Sequence, residues 1–96
     1  MDRITALTLL RRSKPELQSR YGVERLALFG STARDSARSD SDVDILVGFA
    51  GPATSAQYFG VQFYLEDLLG HDVDLVTEVA LRPQLRTYIE KDWVHV

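Results

Sequence analysis

Residues 28–47 read LFGSTARDSARSDSDVDILV. Two apolar runs enclose a polar loop. Leu26 to Phe29 has no polar interruption, as expected of a strand buried on both faces. It stops at Gly30-Ser31. After a turn-rich segment, Asp35 to Ser41, the chain alternates again from Asp42 to Val47. Val43, Ile45 and Val47 then share one face of a second strand, and Asp42, Asp44 and Leu46 share the other. Consecutive strands of this kind pair most simply as antiparallel neighbours, Arg25–Phe29 with Asp42–Val47. That pairing brings the end of the first strand, Gly30-Ser31, beside Asp42 and Asp44. One short helical turn fits between Ser31 and Ala37.

The residue types in this loop suit anion and cation binding side by side. A glycine after a buried strand lets backbone approach a ligand closely. Turn amides and the Ser31 hydroxyl can donate to phosphate oxygens, and Arg34 is near enough in sequence to join them. Asp42 and Asp44, two apart on a strand, have Cα atoms about 6.5 Å apart on one face. Two such carboxylates repel unless a cation lies between them. Mg²⁺ takes one or two carboxylates together with water and phosphate oxygens. Each signal alone is ordinary, because Gly-Ser is a common turn and aspartates at strand ends are commonly solvated. Their juxtaposition is the informative part.

Further out, residues 3–20 have helical spacing in Ile4, Leu7 and Leu10, continued by Leu17 and Tyr21, with Gly22 as a stop. Pro15, with Ser13 and Glu16 as a capping box around it, predicts either a kink near residue 13 or a second helix starting there. Gly48 to Thr54 reads as a loop. Ser55 is the expected N-cap of a helix to Leu69, stopped by Gly70. Its apolar residues cover more than one stripe, so it is either a well-buried core helix or one with an exposed partner-binding patch. Val73–Val76 is a third strand. If it runs parallel to the second through a crossover helix, the Asp-Val-Asp triplets at 42–44 and 72–74 align at one sheet end. Asp74 is then a third carboxylate, able to accept a proton from an attacking hydroxyl or to bind a metal. Asp72 shares its face, and pattern alone does not choose between them. Leu81–Glu90 is a last helix with Pro83 in its first turn and an apolar side of Leu85, Tyr88 and Ile89. Trp93–Val96 is a short edge strand. The fold class expected is α+β, one domain over 1–96, with a small mixed sheet of three to four strands flanked by helices.

Composition limits the alternatives. Ninety-six residues with a net charge of −3 lack the basic face of a general nucleic-acid binder, so no strong direct nucleic-acid binding is expected. There is no cysteine, which removes disulfide and zinc-thiolate frameworks and fits a reducing cytoplasm. No apolar run approaches a membrane span, and MDRITALTLLRR lacks the layout of a signal peptide. The expectation is a cytoplasmic protein with no membrane contact. His71 and His95 are isolated, and Arg82, Arg86 and Lys91 read as a solvated helix face.

Gly30-Ser31-Thr32-Ala33-Arg34 followed by Ser41-Asp42-Val43-Asp44-Ile45-Leu46-Val47 resembles the signature of the DNA polymerase β-like nucleotidyltransferase superfamily. The pattern there is Gly-Ser, Asp-x-Asp about ten residues later, and a distant third Asp. The likeness is closest to the minimal nucleotidyltransferases, small domains often classed as antitoxins, and covers nearly the whole chain. It implies a polymerase β-like fold and nucleotidyl transfer from ATP to a hydroxyl. It further implies Gly30, Ser31 and Arg34 at the phosphates, and Asp42, Asp44 and Asp74 as catalytic residues and ligands of two Mg²⁺. Asp35 departs from the glycine frequent at its position and puts a negative charge near the phosphate turn. Thr32 stands where larger residues are frequent. No acceptor domain follows the third acidic strand, so the acceptor is expected on another macromolecule. In the resembling group that partner is a HEPN-type toxin, modified with AMP on a tyrosine, neutralised by binding alone, or both. Transfer to a small molecule such as an aminoglycoside is a further alternative.

Overall fold

The structure is a computed structural model describing residues 1–96. A 19-residue helix, α1 (Arg3–Tyr21), leads into β1 (Val23–Phe29) and a single turn of helix, α2 (Gly30–Ala33). There follow β2 (Val43–Phe49), α3 (Ser55–Leu69) and β3 (Val73–Thr77). A 3₁₀ turn (Glu78–Ala80), α4 (Pro83–Ile89) and β4 (Val94–His95) close the chain. The four strands form one mixed sheet in the order β3-β2-β1-β4. β1 is antiparallel to β2 and to β4, whereas β3 runs parallel to β2 through the α3 crossover. The α+β class, the antiparallel first pair, the parallel third strand and the closing edge strand all agree with the sequence reading.

The sheet has two unlike faces. On one, Leu26, Leu28, Val43, Ile45, Val47, Val73 and Leu75 pack against α1 and α3 to form the core. α1 contributes Ala6, Leu7, Leu10 and Leu17, and α3 contributes Val61, Leu65 and Leu69. These recur at three- and four-residue intervals, which keeps each set on one side of its helix. Polar ties join α3 to α1 and to β3. Gln57 Nε2 donates to the Tyr21 carbonyl at 3.0 Å, and Tyr58 Oη reaches the Leu75 carbonyl on β3 at 2.6 Å. The opposite face carries Ala27, Asp44, Leu46 and Asp74, by strand alternation. Ala27 and Leu46 are buried there while the acidic residues lie toward the sheet end.

Several local expectations are corrected. α1 is one continuous helix across Pro15, not two. Its start is capped by Asp2, whose carboxylate accepts from Thr5 N–H at 2.7 Å. Ser13 and Glu16 form no capping box: the buried Ser13 hydroxyl donates back to the Leu10 carbonyl at 3.0 Å. Proline frees the carbonyl four residues before it, on Arg11; both residues are exposed, so water can satisfy that group. Ile4 is 77% exposed and off the buried stripe, its place taken by Ala6. The cap of α3 is Thr54, not Ser55, in a reciprocal capping box with Gln57. β2 starts one residue later than expected and runs to Phe49, shortening the loop that follows. β1 begins two residues earlier, at Val23, and β3 ends one later, at Thr77. α4 starts at Pro83, because residues 78–80 are spent in the 3₁₀ turn.

α3 is buried along one side and exposed along another. Val61, Leu65 and Leu69 are core, but Phe59 and Phe63 are 49% and 61% exposed, with their rings stacked 6.3 Å apart. No helix is long and apolar enough to cross a membrane.

Candidate active site

β1 delivers the chain to Gly30 at the sheet end, where the backbone takes a positive φ of 73°. That conformation favours glycine. Space demands glycine as well. A Cβ at position 30 would sit inside the Asp44 carboxyl group, 2.9 Å from its Cγ. The Gly30-Ser31 turn and the second aspartate of the Asp-x-Asp pair are therefore in direct contact. The antiparallel register explains why, since it pairs Phe29 with Asp44.

The parallel register brings Asp74, the expected third carboxylate, beside Asp44. The two carboxyl groups are close enough for Asp74 to raise the pKa of Asp44. Asp72 lies before β3, where its backbone carbonyl accepts from Val43 N–H at 2.9 Å. The pair brought together is thus Asp44 with Asp74. Asp42 directly precedes β2 and opens onto a neighbouring polar depression with Asp40, Glu66 and Asp72. No three acidic or imidazole side chains already form a compact ligand cluster.

Partial burial raises the Asp44 carboxyl from its ordinary 3.8 to about 6. The neighbouring Asp74, through its charge and hydrogen bonding, adds to this, Asp42 adds less, and Arg34 opposes it. The site thus concentrates more negative charge than its own cations balance. This donor set fits a hard divalent cation, which needs only one or two protein carboxylates when phosphate and water fill its remaining positions. Asp44 and Asp74 are placed to supply them, with Asp42 at the margin.

Gly30, Ser31, Arg34 and Asp44 line one cleft of about 340 Å³. Arg34 is held there by Asp92, Nη1 to Oδ2 at 2.8 Å. Sequence reading missed Asp92, which is 58 residues from its partner and has no local pattern to mark it. It also missed that Leu85 and Tyr88 line the same cleft, having read them only as the apolar side of a helix. Asp35 fits the backbone of the turn. It takes the left-handed conformation, φ 59°, that glycine would otherwise supply, and aspartate tolerates this better than most residues. Its carboxylate accepts from Arg3 N–H at 3.1 Å, so it serves the first turn of α1. Thr32 is buried, and its hydroxyl has no partner. His71 lines the polar depression beside Asp42, and His95 packs edge-on against Trp93.

The sequence profile described as nucleotidyltransferase domain matches residues 10–95. Among similar proteins is the protein adenylyltransferase MntA of Thermococcus cleftensis, 38% identical over 89 residues, covering 93% of this chain and 90% of that one. A solved structure described as a candidate minimal nucleotidyltransferase superimposes with a TM-score of 0.81 at 39% identity, over 98% of this chain and 95% of the other. The same fold recurs at 22% identity, TM-score 0.60, in a complex described as a tri-AMPylated Shewanella oneidensis HEPN toxin with its MNT antitoxin; the match spans 97% of this chain and 66% of that one. With Gly30, Asp44 and Asp74 meeting at one sheet end, this chain belongs to the nucleotidyltransferase domain family and is a minimal nucleotidyltransferase similar to the protein adenylyltransferases.

Proposed function

We propose that this chain is a Mg²⁺-dependent protein adenylyltransferase that moves AMP from ATP onto a tyrosine hydroxyl of a HEPN-type toxin, acting as its cytoplasmic antitoxin. The observation that carries this reading is the contact of Gly30 with Asp44 and of Asp44 with Asp74. The kinship with protein adenylyltransferases and the shared fold of an antitoxin bound to an AMPylated toxin support the donor and partner.

In this reading the Gly30-Ser31 amides and the Ser31 hydroxyl bind the β- and γ-phosphates, and Arg34 neutralises part of their charge. Asp44 and Asp74, with Asp42 at the margin, would hold the metal. When bound, Mg²⁺ neutralises the phosphates and makes the α-phosphate a better electrophile. Asp74, more exposed than Asp44, is positioned to take the proton of the incoming hydroxyl. The hydroxyl oxygen bonds to the α-phosphorus, the bond from that phosphorus to the bridging oxygen breaks, and pyrophosphate leaves. Holding both partners at one sheet end replaces a bimolecular encounter with a local one.

The test is transfer of α-labelled phosphate from ATP onto the co-expressed product of the neighbouring gene, followed by intact mass. An added adenylyl group per modified tyrosine is expected, and the double variant Asp42→Asn, Asp44→Asn should show none. Undiminished transfer by that variant would refute the reading.

A second reading is neutralisation by binding alone. The exposed, stacked Phe59 and Phe63 on α3 favour it, since large apolar groups left in water mark contact surfaces. The same double variant discriminates: if it still protects cells at equal expression, binding suffices.

A further inference from the structure

The cleft that contains Gly30, Ser31, Arg34 and Asp44 has a second, apolar wall. Leu85 and Tyr88 form it, above Phe29 and Ile89. Residues 85, 88 and 89 lie on one side of α4 by helical spacing. Only Ile89 is buried; Leu85 is 53% and Tyr88 68% exposed. Elsewhere on the helix, Arg86 pairs with Glu90 at 2.8 Å and lies over the Trp93 ring. Two large apolar side chains are thus open to water at a site whose other wall is polar. Packing within the chain accounts for Ile89 but not for them.

We propose that the Tyr88 ring, flanked by Leu85, is the surface on which the base of the nucleoside triphosphate stacks. This rests on the reading that Gly30-Ser31 holds the phosphates. A triphosphate anchored there must lay its nucleoside within the same cleft or at its mouth, because both walls line one open cleft of about 340 Å³. The other wall offers an aromatic side chain beside an aliphatic one. Such a surface matches a flat base, and burial beneath it removes both side chains from water. The cleft's charged groups, Arg34, Asp44 and Asp92, belong to the phosphate end, where Arg34 is already held by Asp92. The base is therefore gripped by its face and not read at its edge. Stacking of that kind is tolerant of base identity. Adenine and guanine nucleotides should bind within a few-fold of one another, with pyrimidines weaker for their smaller area.

The experiment compares a non-hydrolysable ATP analogue with inorganic tripolyphosphate, each with Mg²⁺, by calorimetric titration of the full chain. Tyr88→Ala should weaken the analogue roughly tenfold or more, the usual effect of losing a stacked aromatic. It should leave tripolyphosphate within about twofold, and Tyr88→Phe should retain both affinities. Because Tyr88 is exposed, the melting temperature of each variant checks that the fold is intact. Equal losses for both ligands, no loss for either, or Tyr88→Phe behaving like Tyr88→Ala would each overturn the stacking surface. So would normal nucleotide affinity in Tyr88→Ala with impaired transfer to the protein acceptor, which would assign the wall to the acceptor. If the wild-type chain binds neither ligand, the phosphate reading fails first and the stacking surface falls with it.

Discussion

Burial and the neighbouring Asp74 raise the Asp44 carboxyl to about 6, above the 3.8 of an ordinary aspartate. Between pH 3.8 and about 6 the folded state binds the Asp44 proton and the unfolded state does not, so stability declines as pH rises through that window. Above about pH 6 the full penalty remains. In chelator near neutral pH, Asp44→Asn should therefore melt a few degrees higher than wild type, with the difference shrinking toward about pH 4. Saturating Mg²⁺ should reverse the order, because it stabilises only the chain that binds it. Thermal denaturation across pH, with and without Mg²⁺, measures both effects; an unchanged difference at all pH values would refute the crowding argument. Position 30 is constrained differently. Gly30→Ala combines a left-handed backbone with a collision against Asp44, and should cost at least about 1–3 kcal/mol and abolish transfer. At position 32 the buried hydroxyl has no partner, so Thr32→Val should be neutral or stabilising in a denaturant titration.

At the scale of elements, the junction of α1 with α3 sets the layer behind the site. Gly60 lies inside α3, where alanine ordinarily gains about 1 kcal/mol over glycine. Here a Cβ would collide with the Tyr21 ring, 3.0 Å from its Cζ. Gly60→Ala should instead lose about 1–3 kcal/mol, and the loss should vanish in a Tyr21→Ala background. A double-mutant cycle showing no coupling would refute this contact. The start of α3 offers a second test. Thr54→Ala should cost about 1 kcal/mol and Ser55→Ala almost nothing, because Thr54 carries the capping box. Both residue types fit the cap, and the two sites are adjacent, so their order was not legible from sequence. Periodicity did locate α3 itself, and Gly70 its end. Ile4 was misplaced because α1 carries enough apolar residues to suggest two neighbouring stripes, and only packing against the sheet selects one.

Across the whole molecule, attachment is uneven. β1, β2 and β3 share long ladders, and both major helices pack on one side of them. Within the closing segment 83–96, the end is tied by the two-residue edge strand, by Val96 N–H donating to the Leu26 carbonyl and by Lys14 donating to the Val96 carbonyl, whereas 83–93 is held mainly by the buried Ile89 and the Arg34–Asp92 pair. Hydrogen exchange should accordingly be faster across 83–93 than in β1 and β2. Asp92→Asn should increase it further while costing no more than about 1 kcal/mol globally, since exposed ion pairs contribute little. Exchange measured by mass spectrometry checks both statements. The same segment carries Leu85 and Tyr88, so a lightly anchored helix also forms one wall of the cleft.

The sequence by itself determined the elements and the chemistry available: a glycine-ended buried strand, the Asp-x-Asp alternation, a crossover helix and a third acidic strand. Those follow from local periodicity and turn chemistry, which act over a few residues. Only the tertiary structure placed Asp74 instead of Asp72 beside Asp44, turned Asp35 toward α1, and joined Arg34 to Asp92. It alone placed α4 opposite the Gly30-Ser31 turn. These are matters of strand register and of contacts across many tens of residues, decided by how complementary surfaces pack and not by any pattern along the chain.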